Sequence, residues 1–205
     1  MVIYIACDTS ELIIPAKNFQ PPNDVRKYFP LDTAMRWTYR LSQWTDMGLS
    51  ESTLVIRRAR NVQSHQGSVS AEVIDEGVDT NFTYSEAAYW TIDSSTYRRF
   101  PDAAPGLYIP LTFCEAPIVS GHTWPVSQND TGYDSWYGRE LFTSVDTTVY
   151  IQGRKYEHCL MIDPDFTSDQ MFWWHFVVAP GIGIVREDFS MGLGGGSLEL
   201  IGRNF

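Results

Sequence analysis

The residues of this 205-residue chain that could do chemistry are its four histidines, three cysteines and a few close carboxylate pairs. Paired carboxylates perform acid–base catalysis when an apolar setting raises the pKa of one of them. Asp163 with Asp165, and Glu187 with Asp188, border apolar runs and are the candidates. Asp163-Pro164-Asp165 is also a turn-forming triplet, which accounts for its acids without catalysis. It lacks the alternating ligands and the glycine of an EF-hand loop. A nucleophile needs Ser or Cys beside His on converging loops. Gly-x-Ser-x-Gly is absent, and Ser120-Gly121-His122 reads as a loop. Gly192 to Gly196 is glycine-rich but lies between two strand patterns, with no helix N-terminus to hold a phosphate. His158 directly precedes Cys159, and adjacent strand residues point to opposite faces, so a shared metal site is not expected. His65 reads as an exposed loop residue, and His175 as a core imidazole bonded to a backbone carbonyl. No catalytic residue, metal set or cofactor is predicted, and the chain reads as a non-enzyme.

The aromatic residues stand out instead. Trp37, Trp90, Trp124, Trp173 and Trp174 exceed what burial alone requires in a domain of this size. On a curved sheet, Trp37, Tyr39, Trp90, Trp124 and Trp174 could line a concave surface for lipid or another hydrophobic ligand. An ordinary aromatic core would use the same residues.

Charge and composition narrow the classes. A net charge of -10 argues against nucleic acid, because neutralising phosphates takes clustered Lys and Arg. Arg57, Arg58 and Arg60 are a local exception and are expected on a solvated strand face, with Arg57 pointing away from the other two. Three cysteines make no disulfide scaffold. Cys114 and Cys159 sit among apolar neighbours and read as buried free thiols, with pairing in an oxidising compartment as the alternative. No stretch approaches the roughly 18 to 20 apolar residues that span a bilayer, so membrane contact is expected only through a lipid anchor.

The elements that must position these residues are strands. Met171 to Val178 is a nearly continuous apolar run, Ala179-Pro180-Gly181 interrupts it, and Ile182 to Glu187 follows. Such runs, bounded by Pro and Gly, mark strands buried on both faces. Arg36 to Leu41 alternates, with Trp37, Tyr39 and Leu41 on one face. Hairpins are predicted for Ser52–Val62 with Val69–Ile74, and for Thr143–Ile151 with Tyr156–Ile162 across Gln152-Gly153. Further short strands are expected at Phe82–Tyr84, Ala88–Ile92, Thr96–Phe100 and Leu198–Ile201, with one helical turn near Asp24 or Ser168. The Tyr-Phe-Pro-Leu run at 28–31 is expected at a strand start or sheet edge. The sum is a single all-β domain over residues 28–205, an antiparallel, strongly curved sheet or half-barrel of about ten strands.

Residues 1–27 read as a tail and linker, with Pro15, Pro21 and Pro22 forming an extended spacer. Met1 to Ala6 is apolar, and Cys7 follows Ile5-Ala6, like the tail of a lipoprotein signal whose cysteine is lipidated. It has no basic n-region and is too short for an apolar h-region. Either Cys7 is a lipidation site whose signal begins upstream, or Met1 to Ala6 is a first strand or frayed tail of a protein that starts at Met1 and stays cytoplasmic.

Tyr28-Phe29-Pro30-Leu31 followed by Trp37-Thr38-Tyr39 resembles the "YYPL…W-x-Y" opening of small bacterial cell-envelope proteins, lipoproteins of unknown function among them. Those proteins repeat a Pro-Leu…Trp element midway, matched by Ile109-Pro110-Leu111 and Trp124. They then carry a hairpin with a central glycine, here Gly153, an "APG-[VI]-G-[LIV]-V" segment, here Ala179 to Val185, and a Leu-Glu-Leu strand, here Leu198 to Leu200. Asp32 to Met35 departs from their usual glycine-containing turn. The resemblance implies an antiparallel β fold with an envelope address, in the periplasm or at the cell surface, and supplies no catalytic residue. The expectation is a non-enzymatic, tethered lipoprotein that binds a hydrophobic ligand or an envelope protein. A hydrolase with a site hidden in the sequence and a purely structural surface domain are the alternatives.

Overall fold

In a computed structural model of the chain, the described residues are 20–45, 48, 50–78, 85–101, 110–126, 139–164, 172–191 and 194–204. After a single 3-10 turn at Val25–Lys27, the chain forms β1 (Arg36–Thr45), β2 (Ser50–His65), β3 (Ser68–Gly77), β4 (Ser85–Ile92), β5 (Thr96–Pro101) and β6 (Leu111–Glu115). Then follow β7 (Thr123–Pro125), β8 (Arg139–Ile151), β9 (Arg154–Pro164), β10 (Phe172–Ala179), β11 (Gly183–Met191) and β12 (Gly194–Asn204). The all-β expectation holds, with twelve strands rather than about ten.

Except for β6 and β7, which end the sheet on either side, strands consecutive in sequence pair antiparallel, and β12 returns to pair with β1, giving the order β6-β5-β4-β3-β2-β1-β12-β11-β10-β9-β8-β7. The chain is thus two six-strand meanders joined along β1 and β12, and their outer strands β6 and β7 meet to close the curl. At that seam the backbone contributes the Thr112 N–H donating to the Val126 carbonyl at 2.6 Å. The Trp124 indole N–H adds a bond to the Thr112 carbonyl at 3.1 Å. Nearly full closure leaves few exposed strand edges, the usual reason for an up-and-down barrel.

Turn chemistry sets the hairpins. Gln66-Gly67 and Gln152-Gly153 both take positive φ, as a two-residue hairpin turn that matches strand twist requires. Gly181 (φ 69°) and Gly183 (φ 98°) allow the reversal between β10 and β11. That reversal is tied down from two sides. The Gly181 N–H donates to Lys27 O at 2.7 Å, and the Trp37 indole donates to Ile182 O at 2.8 Å. Tyr39 reaches the Ile184 carbonyl just beyond, also at 2.8 Å.

Buried side chains form two clusters. Phe176 and Val178 belong to one, with Trp90, Trp124 and Phe142. Val177 and Ala179 belong to the other, with Trp37, Tyr39 and Leu198. Alternate residues of β10 therefore enter different clusters, and the strand is buried on both faces, as its continuous apolar run requires.

The helical turn expected near Asp24 is present, and two other expectations change. The helical turn lies at Val25–Lys27, capped by the Asp24 side chain accepting from the Arg26 N–H, and it leads directly into Tyr28 and Phe29. Those two are buried residues of the first cluster instead of a strand start, because the turn folds them inward before β1 begins. Arg57 is 3% exposed and not on a solvated face; only Arg58 and Arg60 point outward, sharing Glu76. The expected strand at Phe82–Tyr84, Cys7 with most of the tail, Asp165 and Ser168 lie outside the described residues.

Candidate functional site

The inward row of β2 runs Val55, Arg57, Ala59, so strand alternation alone carries one arginine into the interior with two apolar residues. Its register partner on β3 is Asp75. Arg57 grips that carboxylate in a fork, Nε to Oδ1 at 2.8 Å and Nη2 to Oδ2 at 2.7 Å. The same guanidinium donates through Nη1 and Nη2 to Glu187 Oε2 of β11, each at 3.2 Å. Arg99 of β5 supplies the second cation to Glu187, Nη1 to Oε1 at 2.8 Å. Two guanidinium groups and two carboxylates therefore balance inside the barrel.

Aromatic rings enclose this network. The Arg99 guanidinium lies 4.7 Å from the Phe113 ring centroid, 4.8 Å from Trp90 and 5.2 Å from Phe176. Its Nε donates to the Tyr97 hydroxyl. Arg57 lies 5.0 Å from Tyr39. Arginine suits this setting because a planar, weakly hydrated cation stacks on rings while its edge binds carboxylates.

Burial pushes the Glu187 carboxyl up, but Arg99 and Arg57 outweigh burial and bring it down to about 2. Burial opposes charge on Arg57 too, and Asp75 and Glu187 more than restore it. At neutral pH, Glu187 neither gives nor takes a proton. The predicted Glu187–Asp188 pair is also split by strand alternation. Glu187 faces inward, while Asp188 binds Arg186 Nε at 2.9 Å on the opposite face. This arrangement is a fixed clamp across the lumen, without the proton mobility that general acid–base catalysis needs.

A second cluster lies on the outward face of β8 to β11. His175 Nδ1 bonds the Asp163 carboxylate, which also accepts from the Thr143 hydroxyl. The expectation of a backbone carbonyl partner for His175 is thus corrected. Asp163 stands beside it because β9 and β10 are adjacent strands. Burial raises the Asp163 carboxyl, and the bonds from His175 and Thr143 lower it below its ordinary value. An Asp–His pair is the base and its orienter of a hydrolytic dyad, and it needs a nucleophile at hydrogen-bond reach. The row across the strands continues His175, Asp188, Ser197, so the serine in that row is two strands away, and Ser190 of β11 is only a diagonal neighbour, the register partner of Trp173. Two strand spacings are about 10 Å, well beyond hydrogen-bond reach.

The five aromatic residues singled out for ligand binding are divided between two buried clusters, although Tyr39 and Trp90 flank the same Arg57 guanidinium at 5.0 and 5.3 Å. Trp37 and Tyr39 are buried in one cluster. Trp90 and Trp124 are buried in the other, and Trp174 is half-buried against it, edge-on to Phe113 with centroids 5.8 Å apart. Cys114 and Cys159 are free buried thiols in separate clusters. Burial pushes the Cys159 thiol up to about 12 and raises Cys114 as well. Among the described residues, no group of three or more His, Cys, Asp or Glu side chains could hold a metal ion.

Arg57 was legible as the out-of-phase arginine of its triplet, but its meeting with Arg99 and Glu187 was not. Arg57 and Arg99 are 130 and 88 positions from Glu187 and meet it only when the sheet curls. Glu140, 2% exposed on β8, gave no signal beyond strand parity.

No family model matches the chain, and no curated protein matches it. Two solved structures are similar. A candidate exported protein of Bacteroides fragilis with a YmcC-like fold aligns at 14% identity and a TM-score of 0.53, over 87% of this chain and 99% of that chain. The likeness is one of fold. A candidate lipoprotein of Parabacteroides distasonis aligns at 8% identity and a TM-score of 0.44, over 87% of this chain and 99% of that one.

Proposed function

We propose that this chain is a non-enzymatic protein of the bacterial cell envelope, tethered through its N-terminal segment, and that it binds a partner protein by its outer surface. The observation carrying the choice of partner is the Arg99–Glu187 pair. It crosses the lumen with Trp90, Phe113 and Phe176 packed on the guanidinium, so the inward aromatic residues are engaged with the protein's own charges. A pocket for a hydrophobic ligand keeps its apolar and aromatic lining free for that ligand. The envelope address rests on the sequence motifs of the 28–201 region and on the fold shared with the candidate exported protein.

Two measurements test the reading. Fractionation of the native host should place the protein with the envelope, and labelled palmitate should be incorporated in wild type but not in the Cys7→Ser form. Recovery in the cytosol would overturn the address. Native mass spectrometry of the Cys7→Ser protein, purified without detergent, should give the mass of the polypeptide alone. A stoichiometric co-purifying lipid would transfer the reading from partner to hydrophobic ligand.

A further inference from the structure

Three consecutive glycines, Gly194-Gly195-Gly196, begin β12, a strand paired on both sides. Glycine inside a strand costs about 0.5–1 kcal/mol relative to alanine, and it marks places where another group approaches the backbone closely. Gly196 answers to the interior, since a Cβ there would come within 2.6 Å of the Phe189 ring. Gly195 answers to the outer surface. A Cβ on it would meet Trp44 Cζ2 at 2.7 Å and Cε2 at 3.0 Å, so the indole rests against the strand itself. Trp44 is nevertheless 41% exposed. Its indole is thus seated on backbone from below and open to water from outside.

The register carries this row across the sheet. Trp44 of β1 pairs with Gly195 of β12, Gly195 with Ser190 of β11, and Ser190 with Trp173 of β10. Two tryptophans therefore flank a floor made of a serine and a glycine. Residues two positions along each strand share the same face, about 7 Å away. They are Ser42, Ser197, Asp188 and His175, again in register. Asp188 is oriented by the Arg186 Nε–H, which lies 2.9 Å from Oδ2 and 3.2 Å from Oδ1. A carboxylate has about four acceptor sites, so this bond leaves capacity for further donors. His175 is oriented through Nδ1 by Asp163, and Nε2 is the ring nitrogen that remains for an outside group.

The chemistry of this face selects among ligands. A protein interface is centred on apolar and aromatic groups and is poor in serine and acids. Here Ser42, Ser190, Ser197 and Asp188 stand between and beside the tryptophans. A carbohydrate needs that mixture. Its C–H groups carry partial positive charge and stack on the electron-rich face of an indole, while its hydroxyls exchange hydrogen bonds with carboxylate, hydroxyl and imidazole groups. We propose that the outer face of β10, β11, β12 and β1 is a carbohydrate-binding site, with Trp44 as its stacking platform and Asp188 and His175 as partners of the sugar hydroxyls. Trp173 stands three strand spacings from Trp44, about 14 Å. That span exceeds one sugar ring, so the site takes a chain of sugars in preference to a monosaccharide. It is separate from the lumen network and from the partner protein proposed above, and it does not depend on the envelope address.

An array of neutral oligosaccharides and bacterial surface polysaccharides, probed with the whole protein, tests the site, and the tightest-bound glycan is then titrated by calorimetry. Trp44→Ala should weaken that binding about tenfold, the loss of one aromatic contact, and Trp44→Phe should keep part of it. Tyr150→Ala, which removes an exposed ring elsewhere on the surface, should leave the affinity unchanged. Binding to no glycan on the array, an equal affinity in Trp44→Ala, or the same loss in Tyr150→Ala would overturn the proposal. A Trp44-dependent complex with a protein, without glycan binding, would give the face to that protein instead. If Trp44→Ala does not fold, the wild-type indole N–H resonance of Trp44 decides: no shift with saturating glycan would overturn the site.

Discussion

Arg99 and Glu187 meet at 2.8 Å although they belong to strands on opposite sides of the barrel. From β5 to β11 the order runs through β4, β3, β2, β1 and β12 one way and through β6, β7, β8, β9 and β10 the other. Five strands intervene on either route, so the pair spans the lumen at its full width. Arg57 joins from one side, and Glu187 serves two cations at once.

Removal of the shared carboxylate should therefore be severe. Glu187→Gln leaves two buried guanidinium groups with Asp75 as their only acid partner in the network. Breaking a buried ion pair by removing one member costs about 3–5 kcal/mol. The double variant Arg99→Met with Glu187→Leu removes a cation and an anion together and should unfold at a higher urea concentration than Glu187→Gln. Urea unfolding followed by tryptophan fluorescence measures both.

Acid should weaken the protein through the same residue. In the folded protein Arg99 and Arg57 hold the Glu187 carboxyl at about 2, below the 4.5 of a free Glu side chain. A depressed folded pKa contributes stability that is complete above the unfolded value and disappears as pH falls through the folded one. The wild-type melting temperature should fall between pH 4.5 and 2, the window set by those two values. Glu187→Gln should show a smaller fall across that window. Parallel curves for the two proteins would mean that Glu187 is not the group titrating.

The alternation of Trp37, Tyr39 and Leu41 identified their common inward face, and the Pro-Gly reversal located β10 and β11, because local sterics and burial decide both. The network resisted reading for the opposite reason. Arg57, Asp75, Arg99 and Glu187 are assembled by closure of the sheet, a long-range event with no periodic trace in the sequence. Phe29-Pro30 misled because β propensity depends on tertiary context. In the fold, Tyr28 and Phe29 follow the capped turn at Asp24 inward, and Phe29 stacks at 4.3 Å on Tyr97 of β5.

The two described cysteines should be inert in the folded state. Cys114 and Cys159 are both buried, in different clusters, and their thiols are held neutral well above neutral pH. The thiolate is the reactive form. Alkylation with iodoacetamide at pH 7.5, mapped by peptide mass spectrometry, should leave both unmodified until denaturant is added. A disulfide between them in folded, air-oxidised protein would contradict their placement.

Gly195 offers a test of close packing at the β1–β12 seam. A Cβ there would come within 2.4 Å of the Phe189 carbonyl oxygen and 2.7 Å of Trp44 Cζ2. The indole of Trp44 lies across this glycine and remains 41% exposed, so its outer side is free to move. The carbonyl belongs to β11 and is held by the pairing of β11 with β12. Gly195→Ala should therefore destabilise by about 1–3 kcal/mol, the range for forced overpacking. Adding Trp44→Ala should relieve only the indole part of the clash, so the double variant should stay less stable than Trp44→Ala alone. Equal midpoints for Trp44→Ala with and without Gly195→Ala would show that the backbone of β11 yields more readily than its ladder suggests.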